Sequence, residues 1–280
     1  MATTLANLGA PAPIGNLLIV DGLNVAFRWK HQGITDFKYD YIRTIESLAK
    51  SYKAGTIIVC ADGGSTYRKE IFPEYKANRK ERYADQTAQE EKEFEMFMAE
   101  FQDTLTLIKE RYPVFHFRGV EADDIAAYIT KNVDYDECWL VSSDKDWDLL
   151  INDKVSRFST VTRKETTVHN WDEHYDFEIE DFISYKCLTG DKGDNVPGVP
   201  GVGPKRAVQL MEQYGTVFDI YDACPLDGRY KYIQSVNENA EQLLMNVELM
   251  DLLTYCEDAI GEDNGKVIDK TLGRILNDRD

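Results

Sequence analysis

Three short apolar runs each lead into an aspartate, and that pattern constrains the fold more than anything else in the chain. They are LLIV before Asp21, TIIVCA before Asp62 and CWLVSS before Asp144. Apolar runs of this length read as buried strands. Between the first two lies YDYIRTIESLAKSY, which places Tyr41, Ile45, Leu48 and Tyr52 on one helical face. A second unit runs from the strand-like VFHF (114–117) through EADDIAAYITKN to CWLVSS, and VSRFS and ETTVH read as further strand pieces. Strands alternating with helices predict an α/β fold with a mixed, mostly parallel central sheet flanked by helices.

Open sheets of this kind gather their ligands at the carboxyl ends of the strands. Asp21, Asp62 and Asp144 fall there, and more acids join them: Glu121, Asp123 and Asp124 in EADDIAA, Asp146 in SSDKDWDLL, and Asp191 with Asp194 in GDKGDN. Acids favour helix N-termini through the dipole, which explains any one of these positions. It does not explain all of them together. Crowded carboxylates repel and lose hydration, so a cluster is tolerable when cations fill it. All-oxygen ligands suit magnesium or manganese rather than zinc. The chemistry implied is metal-dependent phosphoryl transfer.

The formal charge, 32 − 50 = −18, argues at first sight against a polyanionic partner. A nucleic acid must therefore be met by local basic patches and by metal. Five widely spaced cysteines with no CxxC pair fit reduced thiols, and a cytoplasmic protein, better than a disulfide or zinc framework. No apolar run approaches the roughly 20 residues that span a membrane. Residues 1–16, MATTLANLGAPAPIGN, lack the basic and apolar regions of a secretory signal and read as a flexible tail.

Residues 17–180 form the expected α/β core, with a long insertion at about 72–112, and 181–280 the expected helical region. The insertion starts with FPEYKANRKER, where Tyr75 could stack an unpaired base and Lys76, Arg79 and Lys80 could reach phosphates. Helical spacing would set Lys76 and Arg79 one turn apart, though such a segment is also a common solvated face. Its later half carries a stripe of Phe94, Phe97, Phe101 and Leu105 that reads as core packing. Arg28, just beyond Asp21, is equally open to either reading.

The most specific string is GDKGDNVPGVPGVGPKRA, residues 190–207. Its glycines and prolines specify a tight turn, and Pro204 suits the first position of a helix. Gly201 and Gly203 would then present backbone amides to a phosphate, with Lys205 and Arg206 beside them.

Together, VDGLNVAFRWKH, EYKANR, GVEADDIAAY, SSDKDWDLL and GDKGDNVPGVPGVGPKRA resemble the 5′-nuclease (flap endonuclease/5′-exonuclease) family over roughly residues 17–255. The likeness is to its stand-alone T-odd bacteriophage members and to the nuclease domain of bacterial DNA polymerase I. It implies a helical arch formed by the insertion and a helix–three-turn–helix motif gripping duplex DNA. It also implies two divalent cations, magnesium with manganese as a substitute, held by Asp21, Asp62, Glu121 and Asp123 (with Asp124 adjacent) and by Asp144, Asp146, Asp191 and Asp194. Lys76, Arg79 and Arg28 would stabilise charge on the phosphate, Tyr75 would stack on substrate, and carbonyls of the Val199–Val202 turn would hold potassium. The expected activity is hydrolysis near 5′ ends of branched or nicked DNA, or of RNA–DNA hybrids, by a monomer. It leaves a 5′-phosphate and a 3′-hydroxyl, and a polymerase or clamp partner stays unspecified. Two alternatives remain at this point: a PIN-like ribonuclease with the same acidic core, and a non-catalytic protein that binds branched DNA.

Overall fold

The computed structural model describes residues 15–79 and 86–277. Six strands build the main sheet: β1 (Leu17–Asp21), β2 (Thr56–Ala61), β3 (Val114–His116), β4 (Cys138–Val141), β5 (Val155–Phe158) and β6 (Glu165–Thr166). Their order is β3-β2-β1-β4-β5-β6. The first five run parallel and β6 pairs antiparallel to β5, so the sheet is mixed and mostly parallel, as expected. Every residue of β1 and β2 is buried, because helices cover both faces. That is why these strands read as continuous apolar runs.

The helices described in this part of the chain include α1 (Gly22–Lys30), α2 (Lys38–Ser51), α3 (Thr66–Ile71), α4 (Ala88–Ile108) and α5 (Ala122–Asn132). One face of the sheet packs with α1, α2 and the second half of α4. Phe97, Phe101 and Leu105 of α4 are buried there with Phe94 against them, so the aromatic stripe is core. The first half of α4 is mostly exposed and starts with a capping box between Thr87 and Glu90. Lys80 lies outside the described residues, as do residues 1–14 of the expected tail.

The helical region contains α6 (Phe182–Thr189), α7 (Pro204–Tyr214), α8 (Val217–Ala223), α9 (Lys231–Glu238), α10 (Ala240–Met250), α11 (Leu252–Ile260) and α12 (Glu262–Asn277). A small antiparallel pair, β7 (Gly190–Asp191) with β8 (Val196–Pro197), separates α6 from α7. Helices α6 to α10 share a core of their own, which includes Leu188, Val199, Val202, Leu210, Ile220 and Leu243. The last two helices do not stay with it. Leu252, Cys256, Ile260, Ile268 and Leu272 pack with Ile125 and Ile129 of α5 against the second face of the sheet. The compositional boundary near residue 180 is thus crossed again in space by the chain's end.

Candidate active site

The strand order reverses direction at β1, with β2 on one side and β4 on the other, and the acids collect at that switch point. Asp21 ends β1 and caps α1: its Oδ1 accepts the Asn24 N–H at 3.2 Å, and its Oδ2 accepts the Ser142 hydroxyl at 2.7 Å. Asp62 follows β2 and accepts the Ala122 N–H at 3.0 Å. Asp144 follows β4 and accepts the Asp146 N–H at 3.0 Å. Glu121 caps the start of α5, with Asp123 and Asp124 in its first turn. The Trp147 indole N–H donates to Asp123 at 2.6 Å. Asp191 ends β7 and Asp194 lies in the turn after it, where Asp191 Oδ1 accepts the N–H groups of Gly193 and Asp194 at 2.7 and 3.1 Å.

The electrostatics divide these acids. Burial first, then repulsion from Asp62, pushes Asp21 up to about 8. Burial raises Asp62 against the Ala122 N–H, and raises Asp123 well above its usual range with help from Asp144, Asp62 and Glu121. Asp146 is pushed up to about 6 by burial, which Lys186 partly offsets. Glu121 and Asp194 go the other way. Burial opposes their ionisation, but Arg68 and Lys76 hold Glu121 below the usual range. Lys76, the Tyr75 hydroxyl and Arg79 do the same for Asp194.

Side-chain cations are built into the cluster. Lys76 pairs with Glu121 and lies 3.4 Å from Asp194, while Arg79 donates to Asp194 at 2.9 Å. Lys186 of α6 pairs with Asp146 and lies 3.3 Å from Asp191. A cavity of about 360 Å³ opens over Asp62, Tyr75, Lys76, Arg79 and Glu121. Among the described residues, no three of the carboxylates close on a common point as a ready-made metal cage.

Several expectations are corrected by this geometry. Asp124 is committed elsewhere: both its oxygens take a fork from Arg68, at 2.7 and 2.8 Å. The same guanidinium donates to Glu121 at 2.8 Å and to the Leu249 carbonyl at 2.7 Å. Tyr75 is 4% exposed, with its hydroxyl donating 2.8 Å to Asp194 and lying 3.2 Å from Glu121, so its ring is packed away rather than offered for stacking. Lys76 and Arg79 are not one helical turn apart, because Lys76 sits in a turn at φ +57°. Arg28 lines a different cavity from Lys76 and Arg79. Arg68, Lys186 and Trp147 had not been singled out. Lys186 was visible as a lysine amid the apolar FISYKCL, a position where an unpaired ammonium would be costly. Arg68 left no local mark.

The hairpin after β8 leads into α7, whose cap is Gly203 with Pro204 in the first turn. Gly201 has φ +80°, a backbone that side chains rarely adopt. Gly203 is extended, with open space where a Cβ would go, so its glycine is not sterically required. The tight contact is at Gly198, where a Cβ would come within 2.3 Å of the Thr189 carbonyl. Val199 O accepts the Val202 N–H at 2.9 Å, and Arg206 donates to the Gly201 carbonyl at 2.6 Å. Lys205 lies in the first turn of α7, beside that cap.

An acid-lined cleft at the switch point of a parallel sheet, next to a hairpin that feeds a helix N-terminus, is the frame of a phosphodiester hydrolase. Residues 16–176 match the 5′-3′ exonuclease N-terminal resolvase-like domain, and residues 177–268 match the 5′-3′ exonuclease C-terminal SAM fold. The chain belongs to the 5′-3′ exonuclease family. It is 48% identical to the flap endonuclease of Escherichia phage T5, across 93% of this chain and 91% of that protein. It is 30% identical to DNA polymerase I of Bacillus subtilis (strain 168), across 85% of this chain but 28% of the polymerase. Among solved structures, the bacteriophage T5 flap endonuclease in a pseudo-enzyme-product complex with DNA and metal ions matches with a TM-score of 0.90 at 47% identity, covering 94% of this chain and 99% of that one. The T5 5′-exonuclease with divalent zinc ions bound also gives 0.90 at 47% identity, covering 93% and 99%.

Proposed function

We propose that this nuclease is a structure-specific flap endonuclease and 5′-3′ exonuclease, which hydrolyses DNA phosphodiesters near the 5′ ends of branched or nicked DNA in replication and repair. The observation that carries this reading is the meeting of Asp21, Asp62, Asp123 and Asp144 in one mutually repelling group, with Lys76 and Arg79 beside it. Asp21 is buried at its floor, Asp123 is half-buried, and Asp62 and Asp144 are open to solvent. A group in which Asp21, Asp62 and Asp123 are driven toward neutrality, and whose neighbours Glu121, Asp146 and Asp194 are paired with side-chain cations, is short of positive charge. Its donors are all oxygens, which fits magnesium, with manganese as a substitute.

Asp21, Asp62, Glu121 and Asp123 would hold one cation, and Asp144, Asp146, Asp191 and Asp194 the other. When bound, the pair supplies an activated water and neutralises charge on both sides of the scissile phosphate. Lys76 and Arg79, released from Glu121 and Asp194, would then donate to the phosphate oxygens as negative charge develops there. The α7 N-terminus, with Gly201, Gly203, Lys205 and Arg206, would hold backbone phosphates of the duplex without reading sequence. Potassium would sit on the Val199 and Val202 carbonyls, in exchange for the Val202 N–H contact.

The deciding experiment is a cleavage map on an end-labelled 5′-flap DNA, with magnesium and with chelator, beside single-stranded RNA of the same sequence. Metal-dependent cuts at the base of the flap are expected. Preferential cleavage of the RNA would favour a PIN-like ribonuclease, and binding without product a non-catalytic role.

A further inference from the structure

Two short segments, far apart in the chain, meet beside the acidic cluster. Residues 73–79 carry Lys76 and Arg79, and residues 191–195 carry Asp191 and Asp194. Each holds one residue in the left-handed region, Lys76 at φ +57° and Asn195 at φ +60°. A side chain enters that region at a cost, and such a backbone persists only where its surroundings over-determine it.

Hydrogen bonds that cross between the segments supply those surroundings. The Lys76 N–H donates to the Asp194 carbonyl at 2.8 Å. Asn78 Nδ2 donates to the Lys192 carbonyl at 2.8 Å, and Asn195 Nδ2 donates back to the Glu74 carbonyl at 2.8 Å. Each segment thus lends the other one carboxamide. Asn78 Oδ1 is buried with no hydrogen-bond partner among the described residues, so this side chain serves through its donor alone. An aspartate in either place would set a carboxylate against a carbonyl oxygen, and a lysine or arginine would compete for Asp191 and Asp194. Asparagine also tolerates the positive φ at 195. Neutral donors fasten the segments without drawing on the charges they carry.

The first segment is rooted in the same core as the second. Tyr75 packs with Val196, Val199 and Val202, and Ile71 and Phe72 lie against that core. The Lys76 ammonium nevertheless reaches Glu121, at the start of α5. The crossing bonds hold the Lys76 main chain and leave its side chain free to turn from Glu121 to a phosphate. From this arrangement, and resting on the role given to Lys76 above, we infer that Asn78 and Asn195 are positioning residues for the hydrolysis. They form a carboxamide clasp that sets the Lys76 ammonium against the scissile phosphate, and neither asparagine touches DNA or metal.

The test compares the whole 280-residue chain with Asn78→Ala, Asn195→Gly, Lys76→Ala, and each asparagine variant combined with Lys76→Ala. Glycine keeps the positive φ open at 195 and removes only the carboxamide. Single-turnover cleavage of an end-labelled 5′-flap DNA is followed at saturating enzyme with magnesium, and flap affinity in chelator. Each asparagine variant should lower the rate by about tenfold, as a slightly misplaced group does, and change affinity less than about twofold. Neither should lower the rate further once Lys76 is alanine, because the clasp acts through that side chain. Hydrogen exchange should quicken in residues 72–79 of both variants while β1 and β2 stay protected as in wild type. Wild-type rates in the asparagine variants, or equal losses with and without Lys76, would overturn the inference. So would a loss of affinity in place of rate, or exchange that quickens across the sheet as well, which marks the asparagines as structural ties. Lys76→Ala cleaving at the wild-type rate, or no product from wild type, would overturn the underlying reading and the clasp together. That pattern differs from silent asparagine variants beside a slow Lys76→Ala.

Discussion

Replacing Arg68 by methionine should be among the most damaging single changes to the stability of this protein, although Arg68 belongs to none of its recognisable motifs. The guanidinium is 3% exposed and serves Asp124, Glu121 and the Leu249 carbonyl, with both acids equally buried. Burial raises Asp124 even with the arginine present, so the pair is held together against desolvation. Breaking one side of a buried pair costs about 3–5 kcal/mol, because the partner stays behind uncompensated. At roughly 2–4 °C per kcal/mol for a chain of this size, melting should fall by about 6–20 °C. The urea midpoint should fall with the slope unchanged. Arg68→Met with Asp124→Leu should recover about half the loss, since Glu121 keeps Lys76 and Tyr75. The assay is a double-mutant cycle of urea unfolding followed by circular dichroism in chelator. A single variant within about 1 kcal/mol of wild type, or strictly additive losses in the cycle, would refute the reasoning.

Lys76→Ala should lower the single-turnover rate on flap DNA by about two orders of magnitude while changing affinity less than about threefold, because its ammonium acts mainly on charge that develops in the transition state; equal losses would make it an ordinary DNA contact. Gly201→Val should weaken duplex binding, since it forces a β-branched residue to φ +80°, whereas Gly203→Ala should be nearly neutral in space that is open; band shifts on one duplex compare them. The third expectation concerns pH. Asp21 is near 8 in the folded state and near the usual carboxylate range when unfolded, so the native state binds the extra proton between about pH 4 and 8. Stability from this group is complete below that window and is lost as pH rises through it. Metal-free protein should therefore melt lower at pH 8 than at pH 6, and a flat profile would contradict the burial of Asp21.

How much of this was legible beforehand follows from the range of each signal. LLIV, TIIVCA and CWLVSS declared their strands because both faces of the sheet are covered, and the position of Asp21, Asp62 and Asp144 followed from strand ends alone. The hairpin was readable from its glycines and prolines, though the steric need falls on Gly198 and Gly201 rather than Gly203. What failed to show were partners distant in the chain. Arg68 meets Asp124 and Leu249, and Trp147 meets Asp123, through contacts that no local period encodes. Tyr75 looked like a stacking platform beside basic residues, but its hydroxyl meets buried Glu121 and half-buried Asp194, and that pairing draws the ring inward. Asp124 matched a cluster by sequence and an arginine by geometry.

The return of α11 and α12 to the sheet has a consequence for how the molecule is made. Ile125 and Ile129 wait for Leu252, Cys256, Ile260 and Leu272, so the α5 layer over this face of the sheet is only partly covered until residue 272 has left the ribosome. At about 5–20 residues per second, the interval between residue 180 and residue 272 is roughly 5–20 s. During that time the growing chain exposes the flank of α5 on which α11 and α12 later pack. A gene fragment cut at the compositional boundary would leave that flank of α5 bare for good. The nuclease half is therefore not a transplantable module, and its last helices are the lid of its first core.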